Sequence, residues 1–394
     1  MHFNQDAMAV PYRTMLIAAL VALPALVAGA RSAGAAPSAR QYLVYVGTYT
    51  KGPSKGIYAY QFDPATGELA SLGLAAETSD PSFLTISPNR RFLYAVNEMR
   101  KGSRNGGVSA FAIDLKSGKL TFLNEVSSEG RAPCFISMDK TGRYVLVANY
   151  GTGSIAVFPV AADGRLEKAS AFMQHTGSSV NPARQKGPHA HCVKVSPDNR
   201  FVISSDLGLD KLLVARFNAT SGTLEPNTPR FGSVVPGSGP RHFAFSPNDK
   251  FVYAVSEMGS TLTVFTYNDA RGALHRIQTV TTIPKGYSGE NDGAEVEMAR
   301  SGRFVYTSNR GANTIAVFTI DRETGKVSLL EDVSTQGKTP RAFEIDPTGR
   351  YLFAANQDSA SVVVFRINPR TGRLTPTGQV LQIDSPVCVK FVAR

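Results

Sequence analysis

The sequence predicts an all-β protein, a seven-bladed β-propeller whose blades each contain four antiparallel strands. Three observations support this fold: an aromatic strand recurs seven times, a constant order of strands and turns surrounds each copy, and one unpaired strand is left at the C-terminus. The copies begin 47 to 57 residues apart, at Tyr42, Phe92, Tyr144, Phe201, Phe251, Phe304 and Tyr351. A period of about 50 residues is typical of propellers and solenoids.

The second repeat shows the order of elements within a blade. A leading strand at Ser82–Ser87 precedes the aromatic strand Phe92–Asn97, and a β-rich run at Val108–Ile113 follows it. A turn is predicted next, at Asp114–Gly118. Asp caps such a turn with its own side chain, and Gly accepts the positive φ that the turn requires. Leu120 then opens the fourth strand. Four short strands in each of seven repeats predict a propeller.

The first repeat lacks its leading strand, and the chain ends with an unpaired copy of that strand at 385–391. The sequence therefore predicts that the N- and C-terminal segments pair and close the ring, with Cys388 beside the strand that begins at Tyr42. Closure of this kind covers sheet edges that would otherwise be exposed.

Residues 1–35 are predicted to be a secretory signal, and residues 36–394 the propeller domain. Arg13 precedes the apolar run Met15–Ala30, and Ala33 and Ala35 form a cleavage-like Ala-x-Ala sequence. The alternative is an uncleaved membrane anchor, although the run is short for a span and contains Pro24. We therefore expect an exported protein, periplasmic or secreted, without stable membrane insertion after the signal is removed.

Charge and cysteine content narrow the range of partners. The net charge is +11, which favours acidic glycans, anionic lipids or anionic substrates. No run of four basic residues occurs, so nucleic acid is disfavoured as a partner. The three cysteines are predicted to be buried thiols: Cys134, Cys192 and Cys388. The alternative is that two of them form one disulfide, as an exported protein allows. No Cys-x-x-Cys or zinc-type spacing is present, and we expect neither a cofactor nor a structural metal.

Candidate site residues are predicted to gather on one face of the disc. Antiparallel pairing places the start of each leading strand beside the end of the aromatic strand, at one mouth of the central channel. The catalytic candidates there are His189, His191, Arg241, Glu257 and Arg310. The substrate-binding candidates are His242, Glu297, Arg341 and Asn309. As strand residues two positions apart, His189 and His191 are expected to point to the same side.

These residue types suit the opening of a lactone by water. The reaction needs a base for the water and a positive or donor group where the carbonyl oxygen becomes negative. Glu257 or a neutral histidine can be the base, and Arg241 or Arg310 can hold the oxyanion. A further arginine can bind a phosphate or carboxylate in bidentate fashion.

Five motifs, in order along the chain, resemble those of the seven-bladed propeller lactonase family. They are Tyr45–Thr50, Gly187–His191, Gly239–His242, Ser308–Gly311 and Thr339–Arg341. The family includes bacterial 6-phosphogluconolactonase of the propeller type, and the fungal 3-carboxy-cis,cis-muconate lactonizing enzyme is related. The resemblance implies a lactone hydrolase acting on a small, sugar-derived lactone. In the fungal relative one His, two Arg and one Glu are implicated, and the motifs place them at His189 or His191, Arg241, Arg310 and Glu257.

Other interpretations remain open at this point. The same arginines could clamp two carboxylates for a muconate-type cycloisomerase, or the propeller could bind a protein or glycan without catalysis. His189 and His191 could form half of a metal site with Glu295 or Glu297. The charged groups could also be ion pairs that only tie neighbouring blades together. The particular lactone, the oligomeric state and the identity of the base are not determined by the sequence.

Overall fold

The computed structural model describes residues 41–98 and 104–394, which form seven four-stranded sheets. The predicted signal segment lies outside the described residues. Strands in the first half of the propeller are β1 (Tyr42–Thr48), β2 (Gly56–Phe62), β3 (Leu69–Glu77), β4 (Leu84–Ile86), β5 (Phe92–Asn97), β6 (Gly107–Ile113), β7 (Leu120–Ser127), β8 (Pro133–Met138), β9 (Tyr144–Asn149), β10 (Ser154–Pro159) and β11 (Ala171–Gln174).

The remaining strands repeat the same order. They are β12 (Ala190–Val195), β13 (Phe201–Asp206), β14 (Lys211–Asn218), β15 (Thr223–Ser233), β16 (Pro240–Phe245), β17 (Phe251–Ser256), β18 (Thr261–Asn268), β19 (Ala273–Thr281), β20 (Gly293–Met298), β21 (Phe304–Asn309), β22 (Thr314–Ile320), β23 (Val327–Ser334), β24 (Pro340–Ile345), β25 (Tyr351–Asn356), β26 (Ser361–Ile367), β27 (Leu374–Gln382) and β28 (Pro386–Ala393). A 3₁₀ turn at Gln357–Ser359 is the one helical element within the described ranges. The predicted propeller is confirmed.

The ring closes as predicted. The first blade has the order β28-β1-β2-β3, so the C-terminal strand takes the innermost position. β28 runs antiparallel to β1, with Tyr45 opposite Lys390 and Gly47 opposite Cys388. Closure therefore gives every described blade the same four-stranded sheet.

The aromatic strands are the buried centre of each blade, and they also join neighbouring blades. Every residue of β5, β17 and β21 is buried. The hydroxyl of Tyr94 donates to the Gly164 carbonyl in the turn of the next blade at 3.0 Å. Gly164 has a φ of +88°, and a Cβ there would lie 2.2 Å from the ring of Phe92. Glycine is therefore required where this turn packs on its neighbour.

The three cysteines are free and buried, as expected of apolar thiols. Across residues 41–98 and 104–394, no helix has the length and apolar character needed to cross a bilayer.

Candidate active site

Bulges in the innermost strands turn polar side chains toward one mouth of the channel. In β12 the pairing with β13 passes from Ala190 to Cys192 and skips His191. The pairing of β16 with β17 skips Arg241 in the same way, and that of β24 with β25 skips Arg341. A bulge re-aims the unpaired residue and is common beside active sites. The repeat thus presents His191, Arg241 and Arg341 from equivalent bulges in three blades.

Glu257 lies at the centre of the resulting cluster. It follows β17 and is 5% exposed. Arg310 Nη2 is 2.7 Å from Glu257 Oε2, and Arg241 Nε is 3.3 Å from the same oxygen. Arg184 Nη2 lies 2.6 Å from the other oxygen, Oε1. Three guanidinium groups therefore surround one buried carboxylate.

The electrostatics of this cluster keep Glu257 ionised. Burial alone raises the pKa of a carboxyl, but Arg310, His191 and Arg241 outweigh it and hold the pKa of Glu257 far below its usual range. Burial and the neighbouring charges of Arg310 and Arg341 lower the pKa of Arg241 to about 10. At neutral pH Glu257 is a carboxylate and a weak proton acceptor, since basicity falls with pKa.

His189 is held in a single orientation at the mouth. It precedes β12, stacks on the ring of Tyr150 with centroids 4.6 Å apart, and donates from Nδ1 to the Tyr150 carbonyl at 3.0 Å. Since a carbonyl only accepts, Nδ1 carries a proton, and in the neutral ring the lone pair is therefore on Nε2. The backbone N–H of His189 donates to Asp206 Oδ1 at 2.8 Å. His189 is half-buried, and Nε2 of its neutral ring is the nitrogen that can accept a proton.

His191 and His242 occupy deeper positions. His191 Nε2 is 4.0 Å from Glu257 Oε2, and burial together with the charge of Arg241 holds the pKa of His191 well below its ordinary value. His242 is buried beneath it, packed against Phe135, and shares a 2.8 Å hydrogen bond with Glu295. Because His189 lies outside the strand and His191 on a bulge, the expectation from strand alternation does not apply to this pair. Both rings nevertheless contact Tyr150.

The other substrate-binding candidates lie in three different places. Arg341 is at the mouth, with its guanidinium carbon 5.4 Å from the ring centroid of Tyr49. Asn309 is fully buried and donates to the Thr282 carbonyl at 2.6 Å, so it supports the blade rather than facing a ligand. Glu297 lines a separate cavity of about 370 Å³ with Lys390, and its Oε2 accepts from the Ile345 N–H. The structure therefore does not bring Glu297 to the mouth.

A cavity of about 640 Å³ lies beside the arginines. Arg184, Arg310 and Asn181 are among the residues that line it. Its volume is within the range of small-molecule sites. Within the described part of the chain, no group of three or more His, Cys, Asp or Glu is arranged to hold a metal ion.

Arg184, Asp206 and His175 were missed in the sequence. His175 Nδ1 is 2.7 Å from Asp206 Oδ2, and both are buried, so they support the loop that carries His189. Two signals could have revealed them. The third and fourth aromatic strands begin 57 residues apart, which is the longest such spacing in the chain. Arg184 lies in this interval. The fourth aromatic strand also ends in Asp206, where four of the seven strands end in Asn.

A family model described as a seven-bladed β-propeller lactonase matches residues 43–391, nearly the whole described chain. The chain belongs to this lactonase family. The 6-phosphogluconolactonase of Bacillus subtilis is 38% identical over 352 residues, covering 89% of this chain and 99% of the relative. A protein of the same name from Formosa agariphila is 32% identical over 309 residues, covering 77% and 86% of the two chains.

A solved structure extends the comparison to three dimensions. The periplasmic gluconolactonase of Pseudomonas aeruginosa has a TM-score of 0.84 and 36% identity, and the match covers 90% of this chain and 99% of that chain. The resemblance noted in the sequence is therefore confirmed at the level of family and fold.

Proposed function

We propose that this protein hydrolyses a small, sugar-derived lactone at the channel mouth, without a cofactor. The observation that carries the proposal is the convergence of Arg241 and Arg310 on Glu257, which Arg184 connects to Tyr150, the residue on which the oriented ring of His189 stacks. This arrangement supplies positive charge and a proton acceptor in one partly enclosed site. The lactonase relatives and the adjacent cavity support the same function.

His189 is the proposed base. Its Nε2 takes a proton from water while the oxygen of that water forms a bond to the lactone carbonyl carbon. The carbonyl oxygen becomes negative as its π bond breaks, and Arg241 or Arg310 stabilises it. The oxyanion then re-forms the carbonyl as the ring C–O bond breaks. Protonated His189 returns its proton to the departing ring oxygen, which leaves a carboxylic acid and a free hydroxyl group.

Glu257 is proposed to organise the arginines rather than to act as the base. Arg310 Nε is buried and has no hydrogen-bond partner among residues 41–98 and 104–394. Glu257 thus fixes the guanidinium through Nη2, while the buried Nε has no partner of its own among these residues. Preorganised donors of this kind stabilise developing charge without having to reorient.

Export is the second part of the proposal. The predicted signal at 1–35 and the periplasmic gluconolactonase among the relatives support action outside the cytoplasm. Mass spectrometry of protein from the exported fraction should find a mature N-terminus within a few residues of Ala36. An intact chain confined to the cytosol would contradict export and favour a cytosolic substrate.

Acid release by the purified mature protein tests the catalytic proposal. The panel is glucono-1,5-lactone, its 6-phosphate and muconolactone, each corrected for spontaneous hydrolysis. We expect hydrolysis of at least one sugar lactone, with loss of that activity in Arg241→Ala. Activity on muconolactone alone would favour the cycloisomerase class, and no activity on any of the three would contradict lactone hydrolysis.

A further inference from the structure

We infer that Arg184 recognises an anionic substituent of the lactone, and that the loop 176–189 is the element that selects the substrate. The inference rests on the proposed function and deepens it. The ligand chemistry is a phosphate or a carboxylate on a carbon remote from the reacting carbonyl. Neither group needs to take part in the hydrolysis.

The loop 176–189 is built to hold Arg184 in place. Gln185 is fully buried and donates from Nε2 to the Leu207 carbonyl at 2.8 Å. Ser179 Oγ donates to Asp210 Oδ2 at 2.5 Å. Asn181 Oδ1 accepts from the backbone N–H of Arg184 at 3.1 Å. The backbone of this exposed arginine is therefore held on both sides, which reduces the entropy lost when a ligand binds.

The side chain of Arg184 reaches over the mouth and keeps donors available. Its Nη2 contacts both Glu257 Oε1, at 2.6 Å, and the Tyr150 hydroxyl, at 3.2 Å. No hydrogen bond from Nη1 or Nε to another described residue accompanies these contacts. The side chain is 42% exposed and lines the 640 Å³ cavity. A guanidinium with donors open to a cavity is suited to a phosphate or carboxylate.

The charge balance at the mouth also favours an anion. Three arginines, Arg184, Arg241 and Arg310, share the single buried carboxylate of Glu257. Asp292, which is 3.8 Å from Arg310 and 45% exposed, and the exposed Glu290 also line the cavity, but solvent screens charges at exposed positions. Arg241 and Arg310 already bind one oxygen of Glu257, so this carboxylate remains paired if Arg184 turns toward a ligand. Arg184 is also the most exposed of the three, with 42% of its side chain accessible against 3% for Arg241 and 14% for Arg310, so it is the one best placed to turn toward a ligand.

The test compares Arg184→Ala with wild type on glucono-1,5-lactone, on its 6-phosphate and on the equivalent lactone with a carboxylate at carbon 6. We expect kcat/KM for the anionic lactones to fall roughly 10- to 100-fold, mainly through KM, as for loss of a hydrogen bond to a charged group. The neutral lactone should change little. Which anionic lactone the wild type prefers distinguishes phosphate from carboxylate. Arg184→Lys should recover part of the loss.

Lys186→Ala is the matched control, because Lys186 is an exposed cation on the same loop. It should leave the preference for anionic over neutral lactones unchanged. Equal losses on neutral and anionic lactones in Arg184→Ala, or no loss on either, would overturn the role of Arg184 and leave lactone hydrolysis standing.

Calorimetric binding of 6-phosphogluconate separates this inference from the proposed function. Should the wild type hydrolyse none of the lactones, hydrolysis itself is refuted, and the role of Arg184 is judged by binding alone. Roughly tenfold weaker binding in Arg184→Ala supports anion recognition. Equal binding by the two proteins overturns it.

Discussion

Arg310 Nη2 lies 2.7 Å from Glu257 Oε2, although the two residues belong to different blades. Glu257 follows β17 and Arg310 follows β21, so they occupy the same position in successive repeats. The repeat therefore does two things at once: it builds the ring, and it brings the residue after one aromatic strand against its counterpart in the next blade. This ion pair therefore both joins two neighbouring blades and orients the charged groups at the mouth.

Glu257→Gln should destabilise the protein because it leaves the buried Arg241 and the half-buried Arg310 beside a neutral amide. Removing one partner of a buried ion pair typically lowers the free energy of unfolding by about 3 kcal/mol or more. Urea unfolding at pH 7 measures this change. Asp292→Asn is the control, since Asp292 is 45% exposed and lies 3.8 Å from Arg310. The control should lose less than about 1 kcal/mol. Equal stability of Glu257→Gln and wild type would show that the carboxylate does not hold the arginines.

Arg241→Lys should lower kcat by a factor of roughly 100 to 1,000, the effect of removing a preorganised oxyanion donor. Lysine keeps the positive charge but not the fixed fork that donates to the Ala294 carbonyl and faces Glu257. Steady-state acid release measures the change. Arg303→Lys, an exposed position before β21 on the opposite side of the disc, should have wild-type kcat. Full activity in Arg241→Lys would remove Arg241 from the mechanism.

The fold and the central ion cluster could be predicted because they follow the repeat. Aromatic strand, turn glycine and leading strand recur at constant spacing, and antiparallel pairing then places Arg241, Glu257 and Arg310 on one face. Glu297 could not be placed in the same way. It is four residues along β20 from Gly293, and that distance carries it to the cavity at the other end of the strand.

Residues outside the repeat were harder to find. Arg184 belongs to a loop that is longer than the equivalent loops of the other blades, so comparison of the repeats does not identify it. The orientation of His189 depends on the Tyr150 carbonyl, a backbone group whose position follows only from the folded structure. The bulge at His191 likewise cannot be read from alternation of residue types.

The free energy of unfolding should decrease as the pH is lowered, in part because His191 is buried. Burial and the charge of Arg241 hold its pKa in the folded protein well below the unfolded value of 6.5. Below pH 6.5 the unfolded chain therefore binds a proton that folded His191 does not, and this group makes stability fall as pH falls. Its contribution is at most about 1.4 kcal/mol per pH unit.

His191→Gln removes that contribution. As pH falls from 6.5 to 5, the variant should lose stability less steeply than wild type, measured by urea unfolding at each pH. Between pH 7.5 and 8.5 the two proteins should change in parallel, because His191 is then neutral in both states. Parallel curves across the whole range would contradict a buried, neutral His191.

The turnover rate of the His189→Gln variant is the most direct test of the proposal that His189 is the catalytic base. Glucono-1,5-lactone hydrolysis at pH 7, corrected for the spontaneous reaction, is compared with that of wild type and of His275→Gln, an exposed histidine on β19. If His189 is the base of a lactonase at this mouth, kcat falls by a factor of roughly 100 to 10,000 with an unchanged melting temperature. Wild-type turnover by a folded His189→Gln would contradict the proposed site.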